Sequence, residues 1–283
     1  MAELSDFRSL SHAVLTSSFT PEGLPERVAA AGVVAAAPGD SPSLVEFSRW
    51  GAAPSTTSGA VAVGLLAGSA YRGLIEPDAV TPVAESYGTQ GVVGAVGIGA
   101  AARMFDQVRD RPPAPRTCDV GRPATTEETR PTLIRIRRSF DQVPPPWEVM
   151  AWQPRSLSRW WDLHEAAMAP GLLTGDEKAL AMVAVAGVLG LPGLAAAHSA
   201  LLAGWSDAEI EDALMQESLR LRRGVRSALV SIGAFAVGAL ESERFELAAA
   251  SMPAARAQEL RDIVDLGVGL ATFAQLKKTA ARS

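Results

Sequence analysis

Cysteine, histidine and aromatic side chains are all scarce in this sequence, and each scarcity removes a class of chemistry. One cysteine, Cys118, in 283 residues excludes an intrachain disulfide and any thiolate-rich metal centre. The three histidines, His12, His164 and His198, lie far apart along the chain, so neither a metal nor another cofactor is expected. A formal charge of −5 argues against a nucleic-acid surface, which needs clustered cations, so nucleic acid is not an expected partner. No run of about 18 uninterrupted apolar residues is present, as a membrane span would need. The longest, "ALAMVAVAGVLGLPGLAAAH" (179–198), contains Gly and Pro and follows the charged "GDEK". The opening "MAELSDFRSLSHAV" is acidic early and has no positively charged start, so no secretory signal is read. With a free thiol, this predicts a cytoplasmic location.

Strand signals are equally thin, with few alternating β-branched or aromatic runs and no Asn-Gly turns. What is present is alanine-rich helix. Residues 24–37, 43–52, 57–75 and 80–110 read as helices parted by Pro, Gly and Ser. A Pro-, Thr- and Arg-rich stretch at 111–145 reads as a linker, and within it "PTLIRIRRSF" (131–140) reads as a short strand or arm. Helices resume at 147–168, 173–190, 194–204, 206–223, 225–245 and about 253–280. Thr174 with Glu177 has capping-box spacing, and Ser206 is placed to cap the following helix. The fold class is all-α, in two helical units at 1–110 and 146–283 joined by the linker at 111–145. An internal repeat supports this: "LLAG" recurs at 65–68 and 201–204, and "VGIGAAA" (96–102) matches "VSIGAFA" (230–236).

Chemistry-bearing candidates are few. His198 stands in a run of Ala and Leu, and imidazole is the side chain that works as general acid or base near neutrality without a cofactor. In "SRWWDLHEAAM", Trp161, His164 and Glu165 share one helical face at i, i+3 and i+4, giving an acid/base pair beside an aromatic wall. Glu217 and Arg220 form an i, i+3 pair, and either Arg220 or Arg223 could hold an anionic substrate. The basic clusters "RIRRSF" (135–140) and "LRLRRGVR" (219–226) read as solvated faces or intrachain ion-pair partners. The glycine-rich "GVVGAVGIG" (91–99) follows no strand and has no P-loop lysine, so it reads as close helix packing.

The run "LTGDEKALAMVAVAGVLGLPGLAAAHSALLAGWSDAEIEDAL", with "SALVSIGAFAVG" after it, resembles the alkylhydroperoxidase D / carboxymuconolactone decarboxylase superfamily over about 145–245. The repeat extends the likeness weakly to 57–110. The resemblance implies an alkylhydroperoxidase D-like helical bundle, in two repeats, that assembles as an oligomer. Redox members carry C-x-x-C-x-x-x-H, and counting back from His198 puts Leu191 and Leu194 on the two thiol positions. The relay glutamate falls on Ala179, and Glu177, two residues away, is rotated by about 200° on a helix. In the first repeat the residue matching His198 is Ala62. A disulfide-cycling peroxidase is therefore excluded, and a thiol peroxidase resolved through Cys118 is the weakest reading. A dry pocket lined by Leu191, Leu194 and a tryptophan, with His198 in it, implies a cofactor-independent enzyme. It would act on a small-molecule substrate by elimination, cyclisation, isomerisation or decarboxylation, in specialised biosynthesis. The competing expectation is a non-catalytic relative that binds and stabilises a partner protein.

Overall fold

Proline punctuates this chain. It sits in the first turn of most helices, where its fixed φ suits the helix and its missing N–H would have no partner anyway. The computed structural model describes residues 3–17, 24–49, 58–75, 77–106, 118–119, 126–202 and 253–277. Within them the N-terminal helices are α1 (Glu3–Ser17), α2 (Leu24–Ala36), α3 (Pro42–Arg49), α4 (Ser58–Tyr71) and α5 (Pro77–Phe105). They are followed by α6 (Arg130–Phe140), α7 (Pro145–Met150), α8 (Pro154–Met168), α9 (Gly175–Val188), α10 (Pro192–Ser199) and α11 (Ala254–Phe273). The only strands among the described residues are two-residue pieces, β1 (Cys118–Asp119) and β2 (Leu276–Lys277), paired in parallel. The all-α class is shown. No described helix is long and apolar enough to cross a membrane.

Three segments depart from the sequence reading. Residues 131–140 are helical, not extended. Pro131 lies in the first turn of α6, Leu133, Ile136 and Phe140 bury one face, and Arg137 and Arg138 stay outside. That spacing is the helical period, which outweighs the β-branched content of so short a run. Residues 147–168 form two helices because Pro154 starts α8 anew, with Gln153 at the N-cap. Finally, α10 stops at Ser199, and Leu201 and Leu202 leave it in a turn. Leu65 and Leu66, by contrast, lie inside α4.

Helix α4 is sandwiched between α2 and α5 at very short range. A Cβ on Gly32 would overlap the Gly64 carbonyl, and one on Gly99 would overlap the Ala67 carbonyl. The glycine-rich run is therefore a packing device, as its sequence indicated. Buried residues from Phe7 to Leu276 form one continuous apolar cluster, so the N- and C-terminal helices share a core. Gln275 clips distant segments to it. Its side chain accepts from the Ile75 N–H (2.9 Å) and donates to the Gly73 carbonyl (2.9 Å), while its carbonyl accepts from Cys118 N–H (2.8 Å).

Candidate functional site

The approach to His198 is built by a turn that the sequence spells as "LGLPG". Helix α9 opens with the expected capping box: Glu177 N–H donates to Thr174 Oγ1 (3.3 Å) and Thr174 N–H to Glu177 Oε2 (2.7 Å). It closes on Gly190 at φ 71°, with Gly190 N–H bonded to Gly187 O and Leu191 N–H to Ala186 O. This is the two-bond Schellman arrangement, which needs a residue free to adopt positive φ. Pro192 then starts α10 at once. The short helix carries Leu194, Ala197 and His198 inward.

His198 is completely buried, and His164 of α8 is 4 % exposed. Their Nε2 atoms lie 3.1 Å apart. The other nitrogen of His198, Nδ1, donates to the Leu194 carbonyl at 2.9 Å. Rings enclose the pair. Trp161 stacks on His164 with centroids 4.7 Å apart and planes 16° from parallel. Trp147 of α7 meets His164 edge-on at 5.5 Å, and Phe140 of α6 sits 4.9 Å from His198 and 5.5 Å from His164. In this dry box the charged imidazolium is disfavoured. Burial takes His198 down to about 4, against the weaker opposing pull of its Leu194 hydrogen bond. Burial, then proximity to His198, holds His164 well below the usual imidazole value. Both rings are neutral at pH 7.

Hydrogen-bond bookkeeping in the box does not close. His164 Nδ1 and Trp147 Nε1 are buried with no hydrogen-bond partner. Buried polar atoms are almost always paired, and an unsatisfied one costs about 1–3 kcal/mol.

Of the other candidate residues, Leu191 and Leu194 are buried at the start of α10, and Leu194 contributes its carbonyl. Glu165 stands on the rim, where it accepts from Trp161 Nε1 (2.7 Å) and pairs with Arg135 of α6. Arg135 also reaches Asp162 at 2.9 Å, so the first basic cluster does include an intrachain ion-pair partner. Glu165 thus holds the aromatic wall in place from outside; no hydrogen bond joins it to either histidine. Glu177 is occupied by its cap and by Arg256 (2.6 Å). Glu217, Arg220 and Arg223, with the Ser206 cap and the second copy of the repeat, lie outside the described residues. Cys118 is buried in β1. Among the described residues, no three His, Cys, Asp or Glu side chains group so as to hold a metal ion.

Sequence reasoning reached both histidines separately and missed that they meet. It also missed Phe140 and Trp147. The available signal was that α8 and α10 each bury a single histidine on an apolar face. A cleft of about 720 Å³ lies elsewhere, between α2, α4 and the start of α5, lined by Val28, Gly32, Ala62, Leu65, Arg72 and Asp78 among others. Ala62, which the sequence reading aligned with His198, lies on its wall. No protein-family model, curated protein or solved structure matches this chain, so the family likeness of residues 145–245 rests on sequence motifs alone.

Proposed function

We propose that this chain is a cofactor-independent acid–base enzyme acting on a small metabolite, with the His164–His198 pair as its proton-handling group. It would be built on a degenerate alkylhydroperoxidase D-like domain in the C-terminal half. The single observation behind this reading is the buried 3.1 Å contact between two of the chain's three histidines, with one buried acceptor nitrogen left without a hydrogen-bond partner. A histidine kept only for packing would have both nitrogens satisfied, or be replaced by an apolar side chain without an orphan atom. The pair is not arranged that way. Elimination, cyclisation, isomerisation and decarboxylation next to a carbonyl all require a proton to be taken or delivered at carbon. A neutral imidazole in a water-poor box suits that step.

The test is proton–deuterium exchange in D2O, followed by NMR, over a set of small carbon acids such as β-keto acids and unsaturated lactones. The wild-type chain should exchange at least one of them, and a His164→Gln/His198→Gln variant with an unchanged circular-dichroism spectrum should lose the activity by roughly 10²-fold or more. No exchange above buffer with any of them, or equal exchange by the variant, overturns the reading. The family assignment is served by a different outcome: an experimental structure in which residues 203–252 complete the helical bundle around the pair.

A further inference from the structure

The two histidines of the pair are chemically unequal, and the direction of their hydrogen bonds decides which one meets a substrate. The Leu194 carbonyl has no proton to give, so His198 Nδ1 must carry the hydrogen in that 2.9 Å bond. A neutral His198 then has a bare Nε2. Its 3.1 Å neighbour, His164 Nε2, must therefore be the donor. That leaves His164 with its lone pair on Nδ1, the buried nitrogen that has no hydrogen-bond partner. The chain of bonds runs one way: His164 Nε2–H to His198 Nε2, and His198 Nδ1–H to the Leu194 carbonyl.

Resting on the proposed function, we infer that His164 Nδ1 is the base that touches the substrate and that His198 is a positioning residue, reversing the order suggested by the sequence motif. His198 performs two tasks from behind. It fixes His164 in the Nε2–H tautomer, and it can receive the displaced proton. When His164 Nδ1 gains a proton from the substrate, the Nε2–H proton moves to His198 Nε2. One new N–H bond forms on each ring, one N–H bond breaks on His164, and a single positive charge ends on His198 beside the Leu194 carbonyl. The substrate keeps the electron pair of the broken bond. Returning the proton to the product reverses each step, and no oxidant or co-reactant is consumed.

This also limits the substrate. Under the proposed function, the proton donor to this bare imidazole nitrogen is a C–H or O–H made acidic by a neighbouring carbonyl. Trp147 Nε1–H, the unpartnered donor on the adjacent ring of the same box, suits that carbonyl oxygen. The substrate class is a small enolisable carbonyl compound.

Two substitutions separate the roles. His164→Gln keeps an N–H donor toward His198 but has no basic nitrogen. His198→Gln keeps an acceptor toward His164 but has no place for the proton. On a carbon acid that the wild type turns over, His164→Gln should lose exchange by about 10²-fold or more, and His198→Gln by about 10-fold. The reverse order of losses overturns the assignment and leaves the acid–base reading standing. Independently of any turnover, NMR of the ring-¹⁵N-labelled wild-type chain at pH 7 reads the tautomers. His164 should show an unprotonated Nδ1 and a protonated Nε2, and His198 the opposite. A His164 protonated at Nδ1, or two rings with the same tautomer, overturns the assignment. The expected tautomers with no exchange of any carbon acid would overturn the acid–base reading instead.

Discussion

Helices α2, α4 and α5 pack through glycine, whereas α6, α7, α8 and α10 pack through rings. In the first region backbones approach so closely that no side chain fits between them, as at Gly32 against Gly64 and Gly99 against Ala67. The buried polar group beside them, Arg103 of α5, is partnered: its guanidinium donates to the Tyr71 carbonyl at the end of α4 (3.0 Å). In the second region Phe140, Trp147, Trp161, His164 and His198 fill the space between helices. Aromatic rings bring bulk, and four of these five also bring ring nitrogens that must be satisfied or left without a partner. Trp161 is satisfied by Glu165, and His198 by Leu194 and His164. Trp147 and the far side of His164 are not. Close backbone packing gives rigidity and no chemistry, while ring packing leaves reactive atoms in a dry setting.

The sharpest way to break the glycine region is a single methyl group. Gly99→Ala should destabilise the chain by about 3 kcal/mol or more, because the new Cβ meets a backbone carbonyl that cannot move alone. Urea unfolding measures it, and a change under about 1 kcal/mol would remove the close crossing from the account.

The ring region should break with acid. Neutral His198 sits near pKa 4 in the fold and near 6.5 when unfolded, because burial disfavours its charge. Its contribution is thus fully present above pH 6.5, declines as pH falls toward 4, and stays flat below that. Against a His198→Gln reference, the wild type should lose roughly 2 to 3 kcal/mol of relative stability between pH 7 and 4. The reference removes Asp262 of α11 from the comparison, which burial raises to about 7 and which changes stability with the opposite sign. A difference that does not vary with pH would mean His198 is not buried and neutral.

The smallest effect sharpens the contrast by changing sign. Gly187 lies in α9 with open space around its Cα, so Gly187→Ala should stabilise by about 0.5 kcal/mol through helix propensity. Thermal unfolding reads it, and a loss as large as at Gly99 would show that glycine content, not close approach, is what matters.

How legible was each region in the sequence? Thr174 and Glu177 announced their cap, because three residues of chain hold both partners together. "GVVGAVGIG" announced close packing for a similar reason: one helix places its own glycines on the crossing. The strand or arm expected at 131–140 failed where local preference competed with burial of Leu133, Ile136 and Phe140 on one face. The box itself was hardly legible. Trp161, His164 and Glu165 were expected to act as one cluster, but the helix turns His164 inward and leaves Glu165 on the rim with Arg135.

Sequence alone determined the all-α class, the proline-marked helix starts, the scarcity of thiols, and the presence of a lone imidazole on an apolar helix. These are matters of composition and of neighbours within a turn or two. Only the tertiary structure decided that His164 and His198 touch, which nitrogen each turns to the other, and which atom is left open. Residues 34 positions apart on two different helices meet by virtue of how those helices pack, and hydrogen-bond direction depends on the third group, the Leu194 carbonyl, that the same packing supplies.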